Sequence, residues 1–177
     1  MKKIFFTFFL FIFSIENAHT EEIILKIEEH WNQINSMSGK FVQVDPNEEI
    51  STGDFYFLKP YQSKFFYDNE NETVITNRSL LRIVDKEGYQ TNSYAIGNNI
   101  LKNLLSYQFK INEEFQIVKF ETLESKYKLS IKLKNNDSEN KITLYFDKDT
   151  LDLEKWEIYD EFSNKTVLEF TNIKKNI

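Results

Sequence analysis

The chain contains no cysteine, two prolines, four glycines and two histidines in 177 residues. Without cysteine there is no disulfide, no thiolate nucleophile and no lipid anchor of the kind attached to a Cys at a cleavage point. His19 and His30 alone cannot supply the three or four spaced ligands of a zinc site, and the acidic turns lack the Asp/Asn loop with a central Gly that binds calcium. No metal and no cofactor are therefore expected. Gly39, Gly53, Gly88 and Gly97 are isolated, so neither a phosphate-cradling loop nor a Gly-x-Ser-x-Gly elbow can be built. Ser138-Glu139-Asn140-Lys141 has the form Ser-x-x-Lys but falls in a polar turn, and no carboxylate pair stands out, so no catalytic residue is assigned. Arginine is scarce too: of 22 basic residues only Arg78 and Arg82 are not lysine. With a formal net charge of −6 and dispersed lysines, the chain is not expected to bind nucleic acid or anionic membranes non-specifically.

What the chain does have is apolar patterning of three kinds. Lys2 and Lys3 precede an apolar run from Ile4 to Ile15 that holds six of the 17 phenylalanines. The run is short for a bilayer span and gives way to polar residues, so residues 1–20 read as a cleaved signal peptide, with Ala18-His19-Thr20 at the cleavage site. Residues 21–177 then form one domain, exported from the cytoplasm. Over 21–38 the spacing of Ile24, Ile27, Trp31 and Ile34 predicts an amphipathic helix, with Gly39 as its C-terminal cap.

From Gly39 to Asp85 short strand-like runs are separated by turns: Lys40 to Val44, Ser51 to Leu58, Ser63 to Tyr67, Glu72 to Asn77 and Leu80 to Asp85, with a weaker run from Gln90 to Ile96. Several of these runs are apolar at adjacent positions, as in Phe55-Tyr56-Phe57-Leu58 and Phe65-Phe66-Tyr67. Adjacent residues of a strand face opposite ways. Such strands call for cover on both faces, or for cover on one and an apolar ligand on the other. Leu101, Leu104 and Leu105 mark a short helix within Gly97 to Tyr107, and Ile111 to Glu114 a further turn. The last third alternates cleanly, as in Tyr127, Leu129, Ile131 and Leu133, then Ile142, Leu144 and Phe146, then Trp156 and Ile158, then Leu168 and Phe170, which implies a sheet with one wet face. The fold class is α+β, mainly β: a curved antiparallel sheet, a half-open and unclosed barrel of about ten or eleven strands, covered by the N-terminal helix and a short lid helix. Lys59 ends a strongly aromatic strand on the same face as Phe55 and Phe57. From that rim it can donate hydrogen bonds to carbonyls of a covering element, or it is a solvated turn lysine.

The order and spacing of these runs resemble the LolA family of periplasmic carriers for outer-membrane lipoproteins. The matching residues are an opening amphipathic helix, Phe41-Val42-Gln43, then Gly53-Asp54-Phe55-Tyr56-Phe57-Leu58-Lys59-Pro60, Phe65-Phe66-Tyr67, Val74-Ile75-Thr76-Asn77-Arg78 leading to Leu80–Asp85, and the closing Asn164 to Asn172. Where the family has an arginine that clasps the lid this chain has Lys59, and Arg78 and Arg82 stand where a turn glycine and a tryptophan are usual.

The resemblance implies a non-enzymatic periplasmic chaperone of a Gram-negative bacterium, monomeric, carrying lipidated lipoproteins from inner to outer membrane. Cargo would come from the inner-membrane ATP-binding-cassette release complex and pass to the outer membrane directly or through LolB. It also implies a lipid-binding cavity lined by Trp31, Phe41, Phe55, Phe57, Phe65, Tyr67, Val74, Leu81 and Ile83, a lid formed by Ile34, Leu101, Leu104 and Leu105, and Lys59 as lid clasp. The alternatives are a carrier of another lipid or glycolipid, or a structural or interaction protein of the same fold whose interior is filled.

Overall fold

The computed structural model describes residues 3–69, 71–95, 100–134, 141–160 and 162–177, with side chains from residue 18 onward. In chain order the elements are α1 (Lys3–Gln33), β1 (Ser36–Val44), β2 (Ile50–Leu58), β3 (Gln62–Tyr67), β4 (Thr73–Asn77), β5 (Leu80–Val84) and β6 (Gln90–Ala95). There follow α2 (Ile100–Leu104), α3 (Ile111–Glu114), β7 (Phe115–Thr122), β8 (Lys126–Leu133), β9 (Lys141–Asp147), β10 (Leu153–Tyr159) and β11 (Lys165–Lys175). The strands make one antiparallel sheet in the order β6-β5-β4-β3-β2-β1-β11-β10-β9-β8-β7. Nearly every pairing joins consecutive strands through a short turn, as antiparallel hairpins permit. The exception is β1 with β11, which joins the two halves of the chain into a single sheet.

Aromatic contacts measure how far this sheet bends. Phe57 on β2 stacks on Trp156 of β10, ring centroids 5.7 Å apart, although β1 and β11 lie between them. In a flat sheet three strand spacings would separate those positions by roughly 14 Å. The sheet therefore curls around its inner face, while β6 and β7 remain its two edges and the barrel stays open.

One face is mainly apolar, with a buried Ser63–Thr76 hydroxyl pair on it. Phe41, Phe55, Phe57, Phe65, Leu129, Ile131, Ile142, Leu144, Phe146, Trp156, Leu168 and Phe170 are all buried on it, together with Ile24, Ile27 and Trp31 of α1. Gly53 explains part of the tightness: a Cβ there would lie 1.8 Å from the Phe66 carbonyl oxygen and 2.9 Å from the Phe41 ring, so only glycine lets β2, β3 and Phe41 close together.

The helix predicted over 21–38 ends instead at Gln33, and Met37 and Gly39 belong to β1. Residues 36–39 gain ladder partners in β2 (Leu58 to Phe55) and lie beside the end of β11, and pairing on both sides outweighs helical spacing. Gly39 is no cap. It sits where the β1–β11 register slips between Ser38 and Lys40, and a Cβ there would come within 2.6 Å of the Thr171 carbonyl oxygen.

The sequence reading has no strand at Phe115–Thr122, which is β7. A register shift between Ile117 and Lys119 breaks its two-residue period, so Phe115, Ile117 and Phe120 fall on the core side without alternating. Other strand boundaries lie within a few residues of those expected, and the Ile111–Glu114 turn is helical as read. Ile96, Gly97 and the Ser138-Glu139-Asn140 turn lie outside the described residues.

Candidate functional site

Hydrogen bonds close the helices over the inner face. Trp31, 1% exposed, donates its indole N–H to the Leu104 carbonyl of α2 at 2.7 Å. Lys59 Nζ donates to the Trp31 carbonyl at 2.5 Å and lies 4.9 Å from the Trp31 ring. That carbonyl belongs to the last turn of α1, where main-chain oxygens lack helical partners and the helix dipole favours a cation. Lys59 is 9% exposed, and burial draws its ammonium down to a pKa of about 8. Its own N–H bonds the Asn35 carbonyl, while the Tyr61 N–H bonds the Leu105 carbonyl beyond the cis Lys59–Pro60 bond.

Lys59 therefore holds α1 directly and reaches the lid helix α2 only through Trp31. Farther along α1, Asn32 pairs with both main-chain groups of Phe109, and Glu28 accepts from the Ile111 N–H. On the other flank His30 and Lys175 share Asp152, and these two contacts hold the Asp152 carboxyl below the usual range against the opposing effect of its burial.

The residues singled out from sequence converge here with two exceptions. Trp31, Ile34, Phe41, Phe55, Phe57, Phe65, Leu104 and Leu105 are buried in one cluster, against which Tyr67, Val74 and Leu101 pack half-buried. Tyr67 also donates its hydroxyl to Gln43. Leu81 and Ile83 face the same way by register, opposite Thr76 and Val74, but stay outside that cluster near the β6 edge. Arg82 points the other way, in the row of Ile75 and Ser93 with Leu80 and Val84 on its face. Arg78 lies in the β4–β5 turn, beside the Tyr61 ring.

Met37, Phe109, Trp156 and Phe170 also belong to the cluster and were not singled out. Trp156 and Phe170 were legible as inward positions from their alternation, but nothing in their own strands shows that they meet Phe57 across the sheet. Phe109 sits between helices with no period to mark it.

The expected lipid cavity is not open: its residues pack on one another and on α1 and α2, the filled interior of a protein of this fold without a cavity and equally that of an empty carrier with its helices closed. Beneath α2, the void bounded by Tyr61, Thr76, Leu101 and Leu105 measures only ≈ 10 Å³, about one water. Grooves of ≈ 630 and ≈ 610 Å³ lie on the opposite face, along Tyr56, Leu58, Lys64 and Phe66 and along Lys40 and Asp54. Of the two arrangements expected for β2 and β3, the structure shows cover on one face only: Tyr56, Leu58 and Phe66 remain 49%, 48% and 38% exposed. Among the described residues no group of three or more His, Asp or Glu is placed to hold a metal, and no helix is long and apolar enough to cross a membrane.

A helix-latched, half-open antiparallel sheet with an apolar inner face agrees with sequence comparison. Residues 32–177 match the family described as outer membrane lipoprotein carrier protein LolA. The chain belongs to the LolA family. No curated protein matches it.

Among solved structures it is similar to a DUF1329 family protein from Desulfovibrio piger (9% identity, TM-score 0.50, covering 90% of this chain and 93% of that one). It is also similar to a LolA superfamily protein from Nitrosomonas europaea (10% identity, TM-score 0.45, 85% and 92%). A third similarity is to the MucA/MucB complex of Pseudomonas aeruginosa (14% identity, TM-score 0.44), where 86% of this chain spans 56% of the chain matched. At these identities the first similarity concerns the fold alone.

Proposed function

We propose that this protein is a periplasmic carrier that shelters the acyl chains of lipoproteins and takes them from the inner to the outer membrane. Residues 1–20 act as the cleaved export signal, and residues 21–177 work as a single monomeric domain with no bond-making step. Cargo comes from the inner-membrane ATP-binding-cassette release complex and leaves to LolB or directly to the outer membrane.

The observation that carries this reading is the way the interior is closed. Trp31 and Leu104 occupy the inner face, and three hydrogen bonds to main-chain carbonyls hold α1 and α2 there, from Lys59, the Trp31 indole and the Tyr61 N–H. The two neutral ones are worth about 0.5–1.5 kcal/mol net each and the one from the Lys59 ammonium about 1.5–3. A fatty-acyl chain of about 16 carbons brings roughly 13 kcal/mol of CH₂ burial, at about 0.8 kcal/mol each. Displacing the helices also gives up the burial of Ile24, Ile27, Trp31 and Leu104, at about 1.5–3 kcal/mol each, which acyl burial of that size offsets in kind, so cargo takes the face they leave beside Phe41, Phe55, Phe57 and Phe65. When cargo departs, the same side chains refill the space, so the empty carrier exposes little of its binding surface.

The test is to mix the purified mature protein with a triacylated lipoprotein in the absence of detergent. A soluble one-to-one complex on gel filtration is expected. Lipoprotein that stays aggregated at every carrier concentration would refute the proposal.

A further inference from the structure

The chain has two tryptophans, and the structure treats their N–H groups differently. The Trp31 indole bonds the Leu104 carbonyl. Trp156 is 1% exposed, and among the described residues its Nε1 has no hydrogen-bond partner. An unpaired buried donor costs about 1–3 kcal/mol. A phenylalanine can also pack on Phe57 and Phe170, which the indole meets at 5.7 and 4.8 Å, with no donor to leave unpaired but with a small void in place of the second ring.

The position of this donor is informative. Phe57, on which Trp156 lies, is two residues from Lys59, where the helices are latched. Two residues of strand span about 7 Å. The Trp156 ring is therefore packed against a residue about 7 Å along β2 from the latch. An acyl chain entering tail-first leaves its head end near the latch, and the head end of an ester- or amide-linked chain carries a carbonyl.

We propose that Trp156 is the hydrogen-bond donor to the ester or amide carbonyl of a bound acyl chain, and so sets a preference for acyl over alkyl lipids. This rests on the carrier reading above. The N–H, unpaired in the closed molecule, finds its acceptor when cargo replaces the helices. A hydrocarbon or dialkyl ether fills the same space but leaves the donor without a strong acceptor, and sites built around a hydrogen bond discriminate against ligands that lack it.

The test uses a synthetic triacylated lipopeptide and its carbonyl-free analogue, in which both ester links are ethers and the N-acyl amide is an N-alkyl amine (the ether form), measured against the mature protein and Trp156→Phe. Wild type is expected to bind the acyl form about tenfold more tightly than the ether. Trp156→Phe is expected to bind both alike, near the wild-type affinity for the ether, and when empty to lose less stability than a core Trp→Phe change ordinarily costs, because the unpaired donor goes with the indole. In wild type the Trp156 indole N–H resonance, one of two such signals, is expected to move downfield with the acyl ligand and much less with the ether. Equal wild-type affinities, or an indole signal that stays in place in a saturated acyl complex, would overturn the assignment while leaving the carrier reading intact. The resonance measurement needs no variant, so it decides the matter even if Trp156→Phe folds poorly. If neither lipopeptide binds, the carrier reading fails and the assignment fails with it.

Discussion

The two halves of the sheet share an inner face and differ on the outer one. In β8 to β11 the outer face is a lattice of lysine, glutamate and tyrosine. Lys128 reaches Glu121, Lys155 reaches Glu157 and Glu169, and Lys128 and Lys155 also sit over the Tyr145 ring. Burial among these long side chains, with Glu157 alongside, pushes the Tyr145 hydroxyl up to about 12. In β1 to β5 the same face carries Tyr56, Leu58 and Phe66, with Tyr56 and Phe66 edge to face at 6.1 Å and no covering element among the described residues. The difference separates two things that look alike in a sequence. An inward apolar residue is held by the core, whereas an outward one on β2 or β3 meets only its neighbours on that face, as Phe66 meets Tyr56 and Lys64.

The largest expected effect tests that distinction inside one strand. Phe57→Ala should cost roughly 3–5 kcal/mol in chemical denaturation, because Phe57 touches Phe55, Phe65, Trp156 and Phe170 in a filled interior. Tyr56→Ala, one residue away, should stay within about 0.5 kcal/mol. Equal costs would mean that the outer face is covered after all. For the same reason Phe57→Glu is expected to unfold the protein rather than merely abolish binding.

A smaller effect concerns the buried lysine of the first half. Unfolded, Lys59 keeps its proton up to the ordinary lysine value near 10.5; folded, it does so only to about 8. Between those values the unfolded chain binds more protons, so stability should rise with pH, by up to about 1.4 kcal/mol per pH unit. In Lys59→Arg the guanidinium stays charged over that range. The stability of wild type relative to Lys59→Arg should therefore grow from pH 7 to pH 10, and a flat difference would show that Lys59 is well solvated.

The smallest effect belongs to the second half. Lys155→Ala should change stability by no more than about 1 kcal/mol, and less at high salt, because Glu169 is exposed and Glu157, though mostly buried, keeps the Tyr159 hydroxyl as a donor. A larger, salt-independent loss would make the lattice a second core instead of a solvated face.

Much of this molecule was legible because it depends on short-range pattern. Turn residues and two-residue alternation located ten of the eleven strands, and helical spacing placed Ile24, Ile27 and Trp31 on one side of α1. The failures came where partners distant in sequence decide. Met37 and Gly39 satisfy a helical pattern as well as a strand, and only the ladders to β2 and β11 choose between them. The bulge in β7 shifts its inward positions, so no fixed period reveals it. Leu81 and Ile83 have the right parity but lie too close to an edge for the core to reach them.

By itself the sequence determined the class of fold, the aromatic inner face and the lack of thiolate or disulfide chemistry, since each follows from residue type and local spacing. The tertiary structure alone decided that Phe57 meets Trp156, that Lys59 grips α1 rather than α2, that the interior is filled, and that one indole N–H is left without a partner. Those outcomes depend on how far the sheet curls, and curvature is a sum over all eleven strands that no single segment encodes.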